Sequence, residues 1–384
     1  MPDISTIKGV AAGSVNTVNG VAKASCSTIS GVTMPASGAS LWCISAIDGG
    51  IATAAHSDLN DWTAYVSAST DDNSDYEYIA YGKDGSGNPL WVVVGQEQDF
   101  EIRYSSDPTN TSGWSNIDTT TDAVDRLYGV AWGNNVWIAV GADGELWRST
   151  AGTTGWSLID LSGVTGWSSS TTIQDVRSDG AGNWMFLQGT TVFTSTDDGA
   201  SWAKLEDLGD ANHLNDSNYT AYSVVYTSNR WSVLLAKSGN ARVYHAASSD
   251  TGTWTAATVG GSAITGNSLA AGAARHMAAG DGTVLIVNSN DKHVARSTNG
   301  GQDFTKSTNV LNRLDAKNVA TDGNGTWVVV YAAGRVSIST DDGENFSEQT
   351  GVQDGGSNTN LRFPTGGSNV ETLTGVAADV YLPV

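Results

Sequence analysis

An eight-residue turn that recurs along the chain constrains the fold more than any other feature. Ser195-Thr196-Asp197-Asp198-Gly199-Ala200-Ser201-Trp202 joins a hydroxyl and a carboxylate able to hydrogen-bond the local backbone, a glycine free to take positive φ, and an aromatic that pins the turn on a neighbour. Ser339 to Phe346 repeats it closely, with Asp341 and Gly343 in place; Ser297 to Phe304 keeps Gly301 and substitutes Asn299 for aspartate. Weaker copies end at Trp156, Trp254 and Trp62, and a stretched one runs from Ser105 to Trp114, which makes seven.

A second marker tests that number. Short apolar strands begin at or near Trp42, Trp91, Trp137, Trp184, Trp231, Val284 and Trp327, at intervals of 49, 46, 47, 47, 53 and 43 residues. Self-similarity at this period, with several strands per repeat, predicts an all-β, seven-bladed β-propeller. Six of the blades carry their own innermost strand, at Tyr78–Tyr81, Tyr128–Trp132, Asp175–Arg177, Tyr222–Val225, Ala274–Met277 and Asn318–Ala320. The blade of Trp42 lacks one, while Leu373–Ala378 reads like Leu127–Trp132. The C-terminal strand is therefore expected to complete the first blade and close the ring, which removes an exposed edge.

The Ser-x-Asp-x-Gly-x-x-Trp pattern resembles the Asp-box, or BNR, repeat of sialidases, sortilin-type receptors, some glycosidases and a photosystem assembly factor. The resemblance covers about residues 40 to 384. It implies the propeller, with the boxes as structural turns away from any catalytic face.

The first residues follow a different rule. Ile4-x-x-Ile7-x-x-Val10, Val15-x-x-Val18-x-x-Val21 and Cys26-x-x-Ile29-x-x-Val32 begin 11 residues apart, and each ends on Gly-Val. So small a segment cannot bury enough surface to fold unaided, so it is expected to order against copies of itself or against a larger assembly. The alternative is a flexible linker. It resembles short Ile/Val repeats at the N-termini of tailed-bacteriophage virion proteins, which implies docking through Ile4, Ile7, Val10, Val15, Val18, Val21, Ile29 and Val32. The expected division is a docking segment over residues 1–36 and the propeller over 37–384, joined through the linker Met34–Gly38.

Charge and cysteines narrow the partners. Nineteen basic and 40 acidic residues give a formal charge of −21, a field that repels phosphate backbones and makes nucleic acid an unsuitable partner. Cys26 and Cys43 make no disulfide framework. The opening residues lack the basic region and apolar core of a signal peptide, and no run reaches membrane-spanning length.

Specific chemistry is sparse. A sialidase needs three converging arginines and an Arg-Ile/Leu-Pro motif, but the sole Arg-x-Pro is Arg362-Phe363-Pro364. Arg103, Arg148, Arg242, Arg296 and Arg335 instead recur at one repeat position. Asp71, Asp72 and Asp75 form an oxygen-rich cluster that reads as a solvated turn, and His56, His213, His245, His276 and His293 show no zinc-like pairing. Eleven of the 14 tryptophans are consumed by the repeat, leaving few to stack on sugars. The longest connection between blades, residues 205–220, and another over residues 110–125 are the natural places for binding residues.

The expected function is non-enzymatic: a structural or adhesion component of a bacteriophage tail, neck or fibre tip, located in the virion and made without a signal peptide. It would need no cofactor and no metal. Other virion proteins are the partners of the N-terminal segment, a host receptor or glycan that of the ring, and self-association is compatible. A carbohydrate-active enzyme or lectin is the alternative, a bacterial assembly scaffold the second.

Overall fold

The computed structural model describes residues 40–66, 75–96, 102–117, 126–205, 220–237, 240–248, 250–259, 262–263, 274–288, 292–306, 315–332, 334–349 and 372–380. It also describes the single residues 311, 361 and 363 and six two-residue strands before residue 40. Two compact units result, Met1–Ala39 and Ser40–Val384. In the first, three hairpins repeat one register: Ile7 opposite Val10, Val18 opposite Val21, Ile29 opposite Val32. The residues between each pair of strands are Lys8-Gly9, Asn19-Gly20 and Ser30-Gly31, a sequence suited to two-residue hairpin turns.

The second unit is a seven-bladed β-propeller, and each blade is an antiparallel sheet. From the inner strand outward, blade 1 is Leu373–Ala378, Leu41–Ala46, Gly50–Ala55 and Thr63–Val66. Blade 2 is Asp75–Lys83, Pro89–Gln96, Ile102–Ser105 and Ser115–Ile117. Blade 3 is Leu127–Gly133, Val136–Gly141, Leu146–Ser149 and Ser157–Leu158; blade 4 is Ile173–Ser178, Trp184–Gln188, Thr191–Ser195 and Ala203–Lys204. Blade 5 is Thr220–Thr227, Arg230–Lys237, Asn240–Ala247 and Asp250–Ala256. Blade 6 is Ala274–Gly280, Thr283–Asn288, Ala295–Ser297 and Asp303–Lys306; blade 7 is Ala316–Thr321, Trp327–Tyr331, Val336–Ser339 and Ser347–Glu348. The C-terminal strand pairs with Leu41–Ala46, Val376 opposite Ile44, so the ring is sealed by its far end.

Second strands are apolar on both faces because each blade is covered by a blade on either side. Trp42, Trp91, Trp137, Trp184 and Trp327 are fully buried there. The core is accordingly divided among the interfaces: Ile138 and Val140 of blade 3 pack with Trp184, Phe186 and Phe193 of blade 4, and the same arrangement recurs around the ring.

The Ser-x-Asp/Asn-x-Gly turns join third to outer strands. Ser195 Oγ donates to Asp197 (2.7 Å) and accepts from the Gly199 amide (2.9 Å), while Asp197 Oδ1 accepts from the Ser201 amide (2.9 Å). Ser339 with Asp341, and Ser297 with Asn299, repeat these bonds. The fourth and fifth residues are left-handed, φ +60° and +73° at Asp198 and Gly199. A Cβ at Gly199 would stand 2.3 Å from Ile138 Cδ1 of blade 3, and Gly343 meets Leu285 of blade 6 in the same way. Each glycine thus seats its turn against the preceding blade. The arginine just before a turn serine reaches forward to the next turn: Arg148 Nε donates to the Asp198 carbonyl (2.8 Å) and Arg296 Nε to the Asp342 carbonyl (2.7 Å). Indoles cap the turn from outside, Trp202 Nε1 on Gly199 O (3.1 Å), Trp62 on Leu59 O (2.7 Å) and Trp156 on Gly152 O (2.9 Å).

Two blades depart from the repeat. In blade 5 the third and outer strands pair as far as Ala247 opposite Asp250, so Trp254 lies inside a long outer strand, where Trp62, Trp114, Trp156, Trp202 and Phe346 precede a short one. Blade 6 gains Thr258–Val259, parallel to its outer strand, and Ser262–Ala263 beyond it.

Candidate functional site

Strand direction gives the ring two distinct faces. Inner strands begin on the upper face; the third-to-outer turns and the inner hairpins lie on the lower one. Ser40, where the chain enters the ring, is also on the lower face, its amide donating to Asp379 Oδ1 at 2.6 Å.

Every inner strand carries a β-bulge at one register. In blade 2 Tyr76 faces Gly95 and Tyr78 faces Val94, leaving Glu77 extra; the same slip occurs at Tyr128, Gln174, Tyr222, Arg275, Lys317 and Thr374. A bulge adds a residue, breaks the ladder and re-aims a side chain. Here it sets Glu77, Tyr128, Gln174, Tyr222, Lys317 and Thr374 around the upper mouth of the central channel, a cavity of about 400 Å3.

The next residue binds the ring together. Asp175 Oδ1 accepts from its own strand's Val176 amide (2.9 Å), and Oδ2 from Ser223 Oγ (2.9 Å) and the Val224 amide (3.1 Å) of blade 5. Ser223 in turn accepts from the Met277 amide of blade 6 (3.3 Å), and Asn318 Nδ2 of blade 7 donates to Thr374 O of blade 1 (3.1 Å). In blades 3 and 1 this position is Gly129 and Gly375, where a Cβ would meet neighbouring backbone at 3.2 and 2.9 Å.

Arg177 crosses the channel. It pairs with Asp175 at 2.8 Å, donates to the Tyr78 hydroxyl of blade 2, and lies 5.1 Å above that ring. Burial pushes the Asp175 carboxyl and the Tyr78 hydroxyl up from their ordinary values, with the Arg177 charge opposing both shifts. Nearer the rim, Arg126 pairs with Glu77 and covers the Tyr128 ring at 5.4 Å. Tyr78, Arg177 and Met277 line both the upper cavity and a lower, apolar one of about 180 Å3, so they mark the level between them.

The arginines named from the sequence do not converge on this mouth. Arg103 bonds the Tyr76 hydroxyl (2.7 Å) and Asn116, Arg335 pairs with Glu348, and Arg148 and Arg296 hold turns. His56 lies in blade 1 and His245 in blade 5, while His276 and His293 both belong to blade 6, and among the described residues no group of three or more His, Cys, Asp or Glu could hold a metal ion. Cys43 is buried, which pushes its thiol up. Asp75 opens the inner strand of blade 2, and residues 110–117 belong to that blade's outer turn and strand. Phe363 is buried against Gly50. Ile4, Val15, Cys26, Asp71, Asp72, His213, Arg362, Pro364 and most of the loop after Leu205 lie outside the described residues.

The bulge ring is the feature sequence reasoning missed. Its signal is present: in Leu127-Tyr128-Gly129-Val130 and Leu373-Thr374-Gly375-Val376 the apolar alternation slips by one residue just before the strand's buried centre.

No family model matches the chain, and no curated protein matches its sequence. Among solved structures it is similar to PorZ, a surface component of the type-IX secretion system of Porphyromonas gingivalis, at 14% identity and a TM-score of 0.52; the match covers 80% of this chain and 39% of that one. YCF48 from Cyanidioschyzon merolae is similar at 13% identity and a TM-score of 0.50, over 72% of this chain and 84% of that one. YCF48 bound to a D1 peptide follows at 16% identity and 0.49, over 72% and 82%. At such identities the likeness is one of fold, and the fold is the seven-bladed β-propeller.

Proposed function

We propose that the chain is a non-enzymatic display and adhesion protein of the Asp-box type, carried on a tailed-bacteriophage virion by its N-terminal hairpins and meeting a host surface with the upper mouth of its ring. The observation that carries this reading is polarity: the chain enters at the lower face, and the bulge side chains open on the opposite one. The three hairpins of common register supply a repeated docking element. Hydrolysis is disfavoured because two of the three described carboxylates lining the mouth, Asp175 and Glu77, are each paired with an arginine; a glycosidase needs two carboxylates able to act as acid and as base or nucleophile. Weak contacts would add through many copies.

Purified particles should yield peptides from residues 1–36, and the full chain should adhere to host cells while releasing no sugar from a glycan panel. Glycan hydrolysis by the pure protein would favour the carbohydrate-active alternative. Absence from particles would favour the scaffold.

A further inference from the structure

We infer that the upper mouth takes the uncharged terminal saccharide of a surface glycan, an inference that rests on the adhesion reading above. Formal charge in the described mouth sums to near zero. Glu77 is paired with Arg126 and Asp175 with Arg177, and the acidic and basic side chains that remain, Asp315 and Lys317, offset each other in formal charge on the same rim. A charged ligand would have to shed water without a net opposite charge to receive it, which is costly. The field of a chain with formal charge −21 also repels acidic sugars.

What the mouth does offer is aromatic and neutral polar surface. Tyr128 and Tyr222, both half-buried, bring rings and hydroxyls suited to the apolar C–H face and the rim hydroxyls of a pyranose. The Arg126 guanidinium stacked over one face of Tyr128 holds that ring. Gln174 adds an amide donor and acceptor and Thr374 a hydroxyl. At about 400 Å3 the cavity is at the small end of ligand sites, which suits one or two sugar units and excludes a long chain threading inward past Arg177.

The test uses the full chain on an array of glycans ending in neutral sugars, sialic acid or uronic acid, beside intact host cells. Expected are retention on a neutral-ended glycan, little change with added salt, and a loss of about tenfold or more in Tyr222→Ala and Tyr128→Ala, since a buried aromatic stack contributes on that order. Tyr222→Phe keeps the ring and should retain most of the binding. Circular dichroism of each variant identifies any that fails to fold, in which case Gln174→Ala reads the same site. Preference for acidic glycans, affinity that falls steeply with salt, or neutral binding indifferent to these variants overturns the inference while leaving adhesion standing. Adherence to cells with no saccharide retained does the same; no adherence to either surface overturns both.

Discussion

At the level of single residues, the ring is held by groups that look interchangeable in the sequence. Gly199 and Gly155 are both left-handed, at φ +73° and +68°, yet a Cβ at Gly199 would strike Ile138 while nothing lies within 4 Å of one at Gly155. Gly155→Ala should cost about 1 kcal/mol of backbone strain, and Gly199→Ala about 2–4 kcal/mol once overpacking of a blade interface is added. Thermal melts of the two variants should show that order. His245 supplies a pH-dependent case: Arg230 donates to its Nδ1 at 3.1 Å, and burial, aided by that guanidinium, lowers its pKa to about 4. Unfolded, a histidine takes its proton near pH 6.5. Between about 6.5 and about 4 acid therefore favours the unfolded chain, and stability falls as the pH drops. His245→Gln should flatten the melting temperature across that window relative to the native chain.

At the level of elements, the closing strand decides whether there is a ring. Leu373–Ala378 bonds to blade 1 on one side, and Gly375 leaves no room for a side chain against Tyr78 and Ile79 of blade 2. A chain ending at Gly367 should lose the single cooperative melt of all seven blades; a melt matching that of the native chain would refute closure. Much of this was legible. Turn glycines, tryptophans at strand starts and the likeness of Leu373–Ala378 to Leu127–Trp132 each follow local rules that survive in one repeat. Other elements were not. Asp84, Asp179 and Asp322 each accept two backbone amides in inner hairpins of the form Asp-Gly-x-Gly, but only three blades have them, too few to stand out as a period. The bulges hid for another reason: the slip is a single residue in strands of six to nine, and it shows as a break in alternation only once the strands are aligned on their register.

At the level of the whole molecule, the chain is two units of unequal size, each with its own contacts. Residues 40–384 alone should therefore melt close to the full chain, and the docking proposed above further expects recruitment to particles to be lost; a large drop in melting temperature would show that the ring depends on the first 39 residues. The likeness to PorZ and YCF48 is one of fold, and the same fold carries unrelated functions. Neither the Arg177 bridge nor the pairing of Glu77 with Arg126 could be read from one repeat, because each joins residues whose nearness exists only once the circle has formed.

That circle also sets a schedule for biosynthesis. Ser45 and its partner Thr374 are 329 positions apart, so at a translation rate of roughly 5–20 residues per second the first sheet waits on the order of half a minute with one side bare. Nascent copies crowded on a polysome can donate their last strand to one another's first sheet, producing linked chains instead of closed monomers. Expression at low temperature or low induction should reduce that exchange.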